Sequence, residues 1–318
     1  MTGLDDAALL AVVAIGSAFG SSALVKASWP RRSPAAAILL WQALGLSAGL
    51  AAVGTLIGLA MPASGGGVVR AVLRVGGLLE AGDVFKLAST FGLEGAPPMI
   101  IVGARLACLV AGLALLASLC WVLVAASFAA LQARRRQRVL LTLLAHGDPK
   151  VPGALVVDYP DAAAYCLPGL RSQIVVSVGT LELLGRGELA AVLAHERAHL
   201  RERHDLVLLP FTALRRAFPR SGTCFDACRC VSLLVEMLAD DRALRARPAR
   251  ELASALARFG TAGSCPAPAG ALAVAEGEVA ARVTRLMQPI RPLPSVAVAG
   301  ICLAAGMLVA VPVTVLCL

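Results

Sequence analysis

Four long apolar runs, at residues 7–25, 35–61, 99–131 and 294–318, constrain this chain more than any other feature. Each is long enough to cross a hydrocarbon core of about 30 Å, which takes about 20 helical residues. The chain is 58% hydrophobic and only 15% charged, with a mean hydropathy of +0.79. A soluble domain sits nearer a quarter charged. The expectation is a mainly α integral membrane protein with four transmembrane helices and a further domain inserted between the third and the fourth. The first run follows Asp5 and Asp6 and lacks a basic leader, so it reads as a retained span and not as a cleaved signal.

Basic residues in short connections resist translocation and set the orientation. Lys26, Arg31 and Arg32 put the first connection in the cytoplasm. In the second, residues 62–98, Arg70, Arg74 and Lys86 balance Glu80, Asp83 and Glu94, as suits an external loop. The third span then delivers Arg134, Arg135, Arg136 and Arg138 to the cytoplasm, and the fourth leaves again after Arg285 and Arg291. The expected plan is therefore a membrane domain at 1–132, a cytoplasmic domain at 133–291 and a last span at 292–318, in the cell membrane with both termini external. Of the 29 basic and 20 acidic residues, 22 and 15 lie within 133–291, a net of +7. Attraction to an anionic inner leaflet accounts for that balance, at about 1 kcal/mol per basic residue near the surface. No helix-turn-helix, zinc-finger spacing or aromatic stacking pattern supports direct nucleic-acid contact. Nine cysteines do not imply disulfides in a reduced compartment. Cys224, Cys228 and Cys230 lack the paired spacing of a structural zinc site.

Within the inserted domain, residues 154–158, 164–169 and 173–178 are β-branched or apolar stretches around a Pro168-Gly169 turn, which favours an antiparallel pair. Helices are expected at 187–203, 206–218, 231–245 and 250–260, with Pro210 kinking or starting the second of them. Residues 260–270 read as a flexible loop. This is an α+β pattern.

The chemistry lies at His195-Glu196-Arg197-Ala198-His199. Positions i and i+4 of a helix share one face, so the two imidazoles can hold a single zinc ion while Glu196 addresses its open side. Zinc with three protein ligands keeps a position for water and lowers the water pKa to about 7, and Glu196 would take the proton. A third ligand is required. Glu236 is the candidate, 37 residues beyond His199 on a helix able to pack across the first. Asp240, one turn further on the same face, can accept the N–H of a ligand histidine and fix its tautomer. His204 could be a ligand only if the helix bent sharply, since i+5 from His199 turns it to another face. His146 reads as a solvated turn residue, and Asp205 as a local partner of Arg201–Arg203. Tyr165 and His204 are available as oxyanion donors, although no spacing argument selects either. The strand at 174–178 offers an extended peptide a place to add as a further strand.

These motifs, His195-Glu196-x-x-His199 and Glu236-x-x-x-Asp240, with the upstream segment 167–179 and the lead-in 188–194, resemble the gluzincin membrane peptidases. Within that group the chain resembles the antirepressor metalloproteases of the BlaR/MecR type, closely over about residues 130–260. The resemblance implies a zincin-like metalloprotease domain, one zinc ion per chain, and a signal-activated zinc endopeptidase. Its substrate would be a cytoplasmic repressor, which it cleaves or inactivates. Self-cleavage is implied by the resemblance alone. The sensor domain that the best-known members carry after the last span has no counterpart before Leu318, and no Ser-x-x-Lys motif is present. A signal is expected to enter through loop 62–98, the spans or a partner.

Two other readings stand beside this one. The first is a housekeeping membrane protease for damaged or prenyl-tail substrates. The second is a non-catalytic receptor that keeps zinc for structure, against which Glu196 argues. The lipid bilayer is a partner in every reading, and a homodimer is left open.

Overall fold

The structure, a computed structural model, describes residues 3–61, 68–83, 98–149, 151–169, 172–262, 269–288 and 291–317, together with Lys86. Most of the loop expected at 62–98 and the centre of the one at 260–270 lie outside the described residues. The chain divides into two compact units: Met1–Pro30 with Ala36–Leu123 and Pro294–Leu318, and Arg31–Ala35 with Val124–Leu293.

The first unit is helical. It comprises α1 (Gly3–Lys26), α2 (Pro34–Ala60), a short helix α3 (Val68–Ala81) inside the second connection, and the N-terminal part of α4 (Met99–Leu144). A last helix, numbered α11 below, runs over Ser295–Cys317. Four of these, α1, α2, α4 and α11, are long and apolar enough to cross a membrane. Val53, Ile57, Ala60 and Met61 of α2 pack against Cys108, Leu109, Leu115 and Leu119 of α4. Gly54 keeps Leu10 of α1 and Leu316 of α11 close, since a Cβ there would lie 2.7 Å from each side chain. Ser17 donates its hydroxyl to Val13 O within its own helix, at 2.7 Å, so burying it leaves no donor unsatisfied. Phe19, Trp121 and Leu303 remain outward and exposed, as an apolar solvent allows. Several long apolar helices suggest a membrane protein.

The second unit is α+β. The C-terminal part of α4 runs on without a break past Arg134–Arg138, beyond the expected span end at 131. Four strands follow: β1 (Ala145–Gly147), β2 (Leu155–Val157), β3 (Ala164–Leu167) and β4 (Gln173–Ser177). Their order is β1-β2-β4-β3. The expected antiparallel pair is β3 with β4, in the register Tyr165 to Val175 and Cys166 to Ile174. Two pairings were not legible: β2 runs parallel to β4, and His146 lies exposed in β1, paired opposite Val156, and not in a turn.

After the sheet come α5 (Val178–Leu183), α6 (Arg186–Arg201), α7 (His204–Ala217), α8 (Gly222–Ala243), α9 (Ala249–Thr261) and α10 (Ala269–Met287). Alternation along the strands splits the sheet into two faces. Val156, Ile174 and Val176 join Leu193 of α6, while Leu167 and Val175 meet Leu141 of α4. The sheet is thus held between the motif helix and the end of α4. On its other sides α6 buries Val192 against Ala255 of α9, and Ala191 against Ala243 of α8 and Leu252 of α9. Each such large apolar side chain stabilises by about 1.5–3 kcal/mol on full burial. A helix packed on three sides holds its side chains in fixed directions.

Candidate metal centre and active site

Helix α6 starts at Gly185, whose N–H donates to Glu188 Oε2 at 2.8 Å. It ends at Glu202, where Arg203 takes a left-handed conformation with φ of 52°. That single residue breaks the helix and turns the chain so that α7 begins at once with His204. Pro210 sits inside α7 without ending it.

Between these ends, His195 and His199 point the same way. Their Nε2 atoms lie 3.0 Å apart. Glu236, on α8, brings Oε2 to 3.3 Å from His195 Nε2 and Oε1 to 3.5 Å from His199 Nε2. Zinc bonds of about 2.0–2.1 Å at tetrahedral angles put donor atoms roughly 3.3–3.5 Å apart. Two imidazole nitrogens and a carboxylate at this spacing fit a zinc ion. Among the described residues this is the one group of three metal-ligating side chains so placed.

Behind the donors, Asp240 is buried, with Oδ1 at 2.9 Å from His195 Nδ1. The two are at ion-pair distance without hydrogen-bond alignment. Arg282 of α10 closes the arrangement. Its Nε and Nη2 donate to Asp240 Oδ2 and Oδ1 at 2.9 and 2.7 Å, and its Nη1 is 2.9 Å from Glu236 Oε2. Sequence reasoning missed Arg282, which lies 42 residues beyond Asp240 with no spacing rule to connect them.

The charges set each other. Burial alone would push the His195 imidazole down, but Asp240 and Glu236 outweigh it and hold it up at about 9. Burial with neighbouring His195 and His204 outweighs Glu236 and takes His199 down to about 4. Burial opposes ionisation of Glu236, yet His195 and Arg282 hold its carboxyl down at about 2. Asp240 is likewise depressed: burial works against its charge, and His195 and Arg282 prevail. Glu196 goes the other way, raised first by burial and then by the charge of Glu236. A carboxyl group with a raised pKa on the helix that carries two of the donors is a candidate for proton transfer.

Residues 130–221 match the model of peptidase family M48. The match supports an M48 metallopeptidase, a zinc-dependent family, and it does not reach the narrower antirepressor group. It covers the end of α4, the sheet, the His-Glu-x-x-His helix and α7, and stops before Glu236, Asp240 and Arg282. No curated protein and no solved structure matches the chain.

Three residues depart from their expected places around the His-Glu-x-x-His motif. Asp205 does not pair chiefly with Arg201–Arg203: its Oδ2 is 2.9 Å from Arg134 Nη2 of α4, and Arg203 is 3.8 Å away. Tyr165 is on β3 next to Cys166, and Cys166 is the one whose thiol is coupled to Glu196. Alternation therefore turns Tyr165 to the sheet face away from α6, which removes it as an oxyanion donor. His204 is buried behind His199, on the far side from the converging Nε2 atoms, and is no oxyanion donor either. Strand β4 is paired on both sides, so a peptide cannot add to it; among the described residues its neighbour β3 is an edge strand of the sheet.

Proposed function

We propose that this chain is a membrane-anchored zinc endopeptidase that cuts a regulatory protein substrate, with a cytoplasmic transcriptional repressor as the class of target. The observation that supports peptide hydrolysis is the conjunction of a zinc-compatible donor triad, His195, His199 and Glu236, with Glu196 one residue along the same helix. When bound, zinc polarises the scissile carbonyl and lowers the pKa of the attacking water to about 7. Glu196 takes the proton of that water and passes it to the leaving amine nitrogen, and its raised pKa lets it hold the proton between the two transfers. Asp240 holds His195 and Arg282 holds Glu236, so the donors do not reorganise during the reaction. The free edge of β3, whose Cys166 abuts Glu196, receives the substrate as an extended strand, main chain to main chain.

The repressor reading is supported by the resemblance of the paired motifs to antirepressor proteases and by the run of arginines at 134–138, which favours a cytoplasmic location for the second unit. The test compares wild type with Glu196→Gln in membranes, following cleavage of a repressor encoded beside this chain and the zinc content of both proteins. The Gln variant is expected to keep its zinc and lose about 10²–10⁴-fold in cleavage rate. Equal cleavage by the two would remove Glu196 as the base. Cleavage of many unfolded membrane proteins but not of the repressor would move the function to quality control.

A further inference from the structure

We propose that His204 is a positioning residue for the metal ligand His199, completing a polar relay that runs from His199 through His204 and Glu202 to Arg242. The inference rests on the reading of His195, His199 and Glu236 as a zinc site, and it assigns a role to groups that this reading leaves unused.

The geometry comes first. His204 is 2% exposed, deeper than either metal-site histidine, although it opens a helix immediately after a chain reversal at Arg203. Its Nδ1 lies 3.1 Å from His199 Nδ1, with the two rings nearly perpendicular at 88°. The other nitrogen of His199, Nε2, faces His195 and Glu236. His204 thus meets the nitrogen of His199 that does not face the metal. On its own far side, Nε2 of His204 is buried with no hydrogen-bond partner among the described residues, and Glu202 Oε2 stands 3.6 Å from it. The other carboxylate oxygen of Glu202 is engaged by Arg242 of α8, the helix that carries Glu236 and Asp240.

Valence then fixes the direction of every proton. A neutral imidazole has one N–H and one lone pair, and a metal takes the lone pair. If His199 gives Nε2 to zinc, its proton is on Nδ1 and must be donated. His204 must therefore accept at Nδ1, which places its own proton on Nε2, towards Glu202. Glu202, acceptor only, is kept charged and in place by Arg242. His199 and His204 have one arrangement that satisfies the contact between them, and it is the tautomer of His199 that zinc requires; His204 Nε2 then faces Glu202 at ion-pair distance, without a hydrogen bond. His195 is served in the same way by Asp240 and Arg282. The two ligands thus have separate supports, one through α10 and one through α7, and both are anchored on α8.

A burial-only role for His204 predicts that an apolar ring would serve equally well. The experiment therefore uses the full-length chain in detergent and measures zinc affinity by competition with a chelating dye, the visible spectrum of the cobalt-substituted protein, and the thermal unfolding of the metal-free protein. His204→Phe is expected to weaken zinc binding about 10–100-fold, as loss of an outer partner of a ligand does, and to change the cobalt spectrum. His204→Asn, whose Oδ1 can accept from His199 Nδ1, is expected to recover most of the affinity. Zinc affinity of His204→Phe within about twofold of wild type, against the 10–100-fold expected, overturns the proposal, as does a His204→Asn protein no better than the Phe variant. If the Phe variant does not fold without metal, His204→Leu takes its place under the same criteria. A wild-type chain that binds no zinc would instead overturn the metal site itself, whereas zinc-replete, cleaving protein insensitive at position 204 would remove only the relay.

Discussion

Arg282 grips Asp240 with two parallel hydrogen bonds, 2.9 and 2.7 Å, in a site where Asp240 is 1% exposed. A buried carboxylate keeps its charge only with such a partner, and removing one member of a buried pair costs about 3–5 kcal/mol because the other is left uncompensated. Arg282→Met is therefore expected to lower the stability of the metal-free protein by that order, and Arg282→Lys by nearly as much, since an ammonium cannot reproduce the two-pronged contact. The double variant Arg282→Met with Asp240→Asn should lose less than the sum of the two single changes. Thermal or denaturant unfolding of the four proteins checks this, and strict additivity would show that the pair is not coupled.

How much of this site is readable in the chain depends on whether its parts lie on one element. His195 and His199 are legible because the helical repeat alone puts them on one face, and Glu236 with Asp240 for the same reason. Arg282 is not, because only the packing of α10 brings it to α8, and an arginine on a helix that also carries Glu278 and Arg285 looks like any solvated position. The place of His204 beside His199 has a local cause. The i+5 offset puts it on another face only if the helix continues, and the left-handed turn at Arg203 ends it one residue earlier. In the sheet, the Pro168-Gly169 turn announces the β3–β4 pair, whereas three-residue strands such as β1 and β2 carry too few side chains to show which neighbour they join.

Two arginines one turn apart on α4 hold opposite flanks of the active-site region. Arg134 Nη2 is 2.9 Å from Asp205 Oδ2, next to His204, and Arg138 Nη2 donates to Pro168 O, just past the end of β3, at 3.3 Å. A charge-assisted hydrogen bond that is partly buried contributes about 1.5–3 kcal/mol. Arg134→Ala should cost roughly the lower end of that range and loosen the start of α7 first, where Asp205 lies. Hydrogen exchange is the measurement: faster exchange confined to the first turns of α7 is expected, and unchanged rates there would mean that Asp205 is held by Arg203 instead.

The start of the motif helix should be sensitive to acid. Burial works against the Glu188 carboxylate, but the Ser254 hydroxyl, the Gly185 N–H and Arg258 outweigh it, and its pKa is lowered. A carboxyl group whose folded pKa is below its unfolded one of about 4.3 stabilises fully above that value, and the contribution fades as pH falls through the folded pKa. Glu188→Gln keeps an oxygen for the Gly185 N–H and removes the charge, so it is expected to cost about 0.3–1 kcal/mol at neutral pH, the usual worth of a negative charge at a helix N-terminus. The difference from wild type should shrink as pH falls below about 4. A stability gap that stays constant from neutral to acid pH would show that the negative charge is not what caps α6.

Cys166 provides a chemical probe of the space beside Glu196. Its thiol is pushed up to about 12, first by burial and then by the charge of Glu196. Alkylation needs the thiolate, and near pH 8 a thiol of this kind is ionised on the order of 10³-fold less than an ordinary one of pKa about 8.5. Cys166 should therefore react with iodoacetamide far more slowly than a free cysteine in solution, with a rate still rising about tenfold per pH unit where the free thiol has levelled off. Because the Glu196 carboxylate contributes to the shift, Glu196→Gln should lower the thiol pKa and speed the reaction, although the substitution removes a negative charge and adds no nucleophile. Peptide mass spectrometry after timed alkylation reads both effects. A Cys166 that alkylates in wild type at the pace of a free cysteine would mean that β3 does not pack its thiol against Glu196, and the substrate edge proposed there would have to be sought elsewhere.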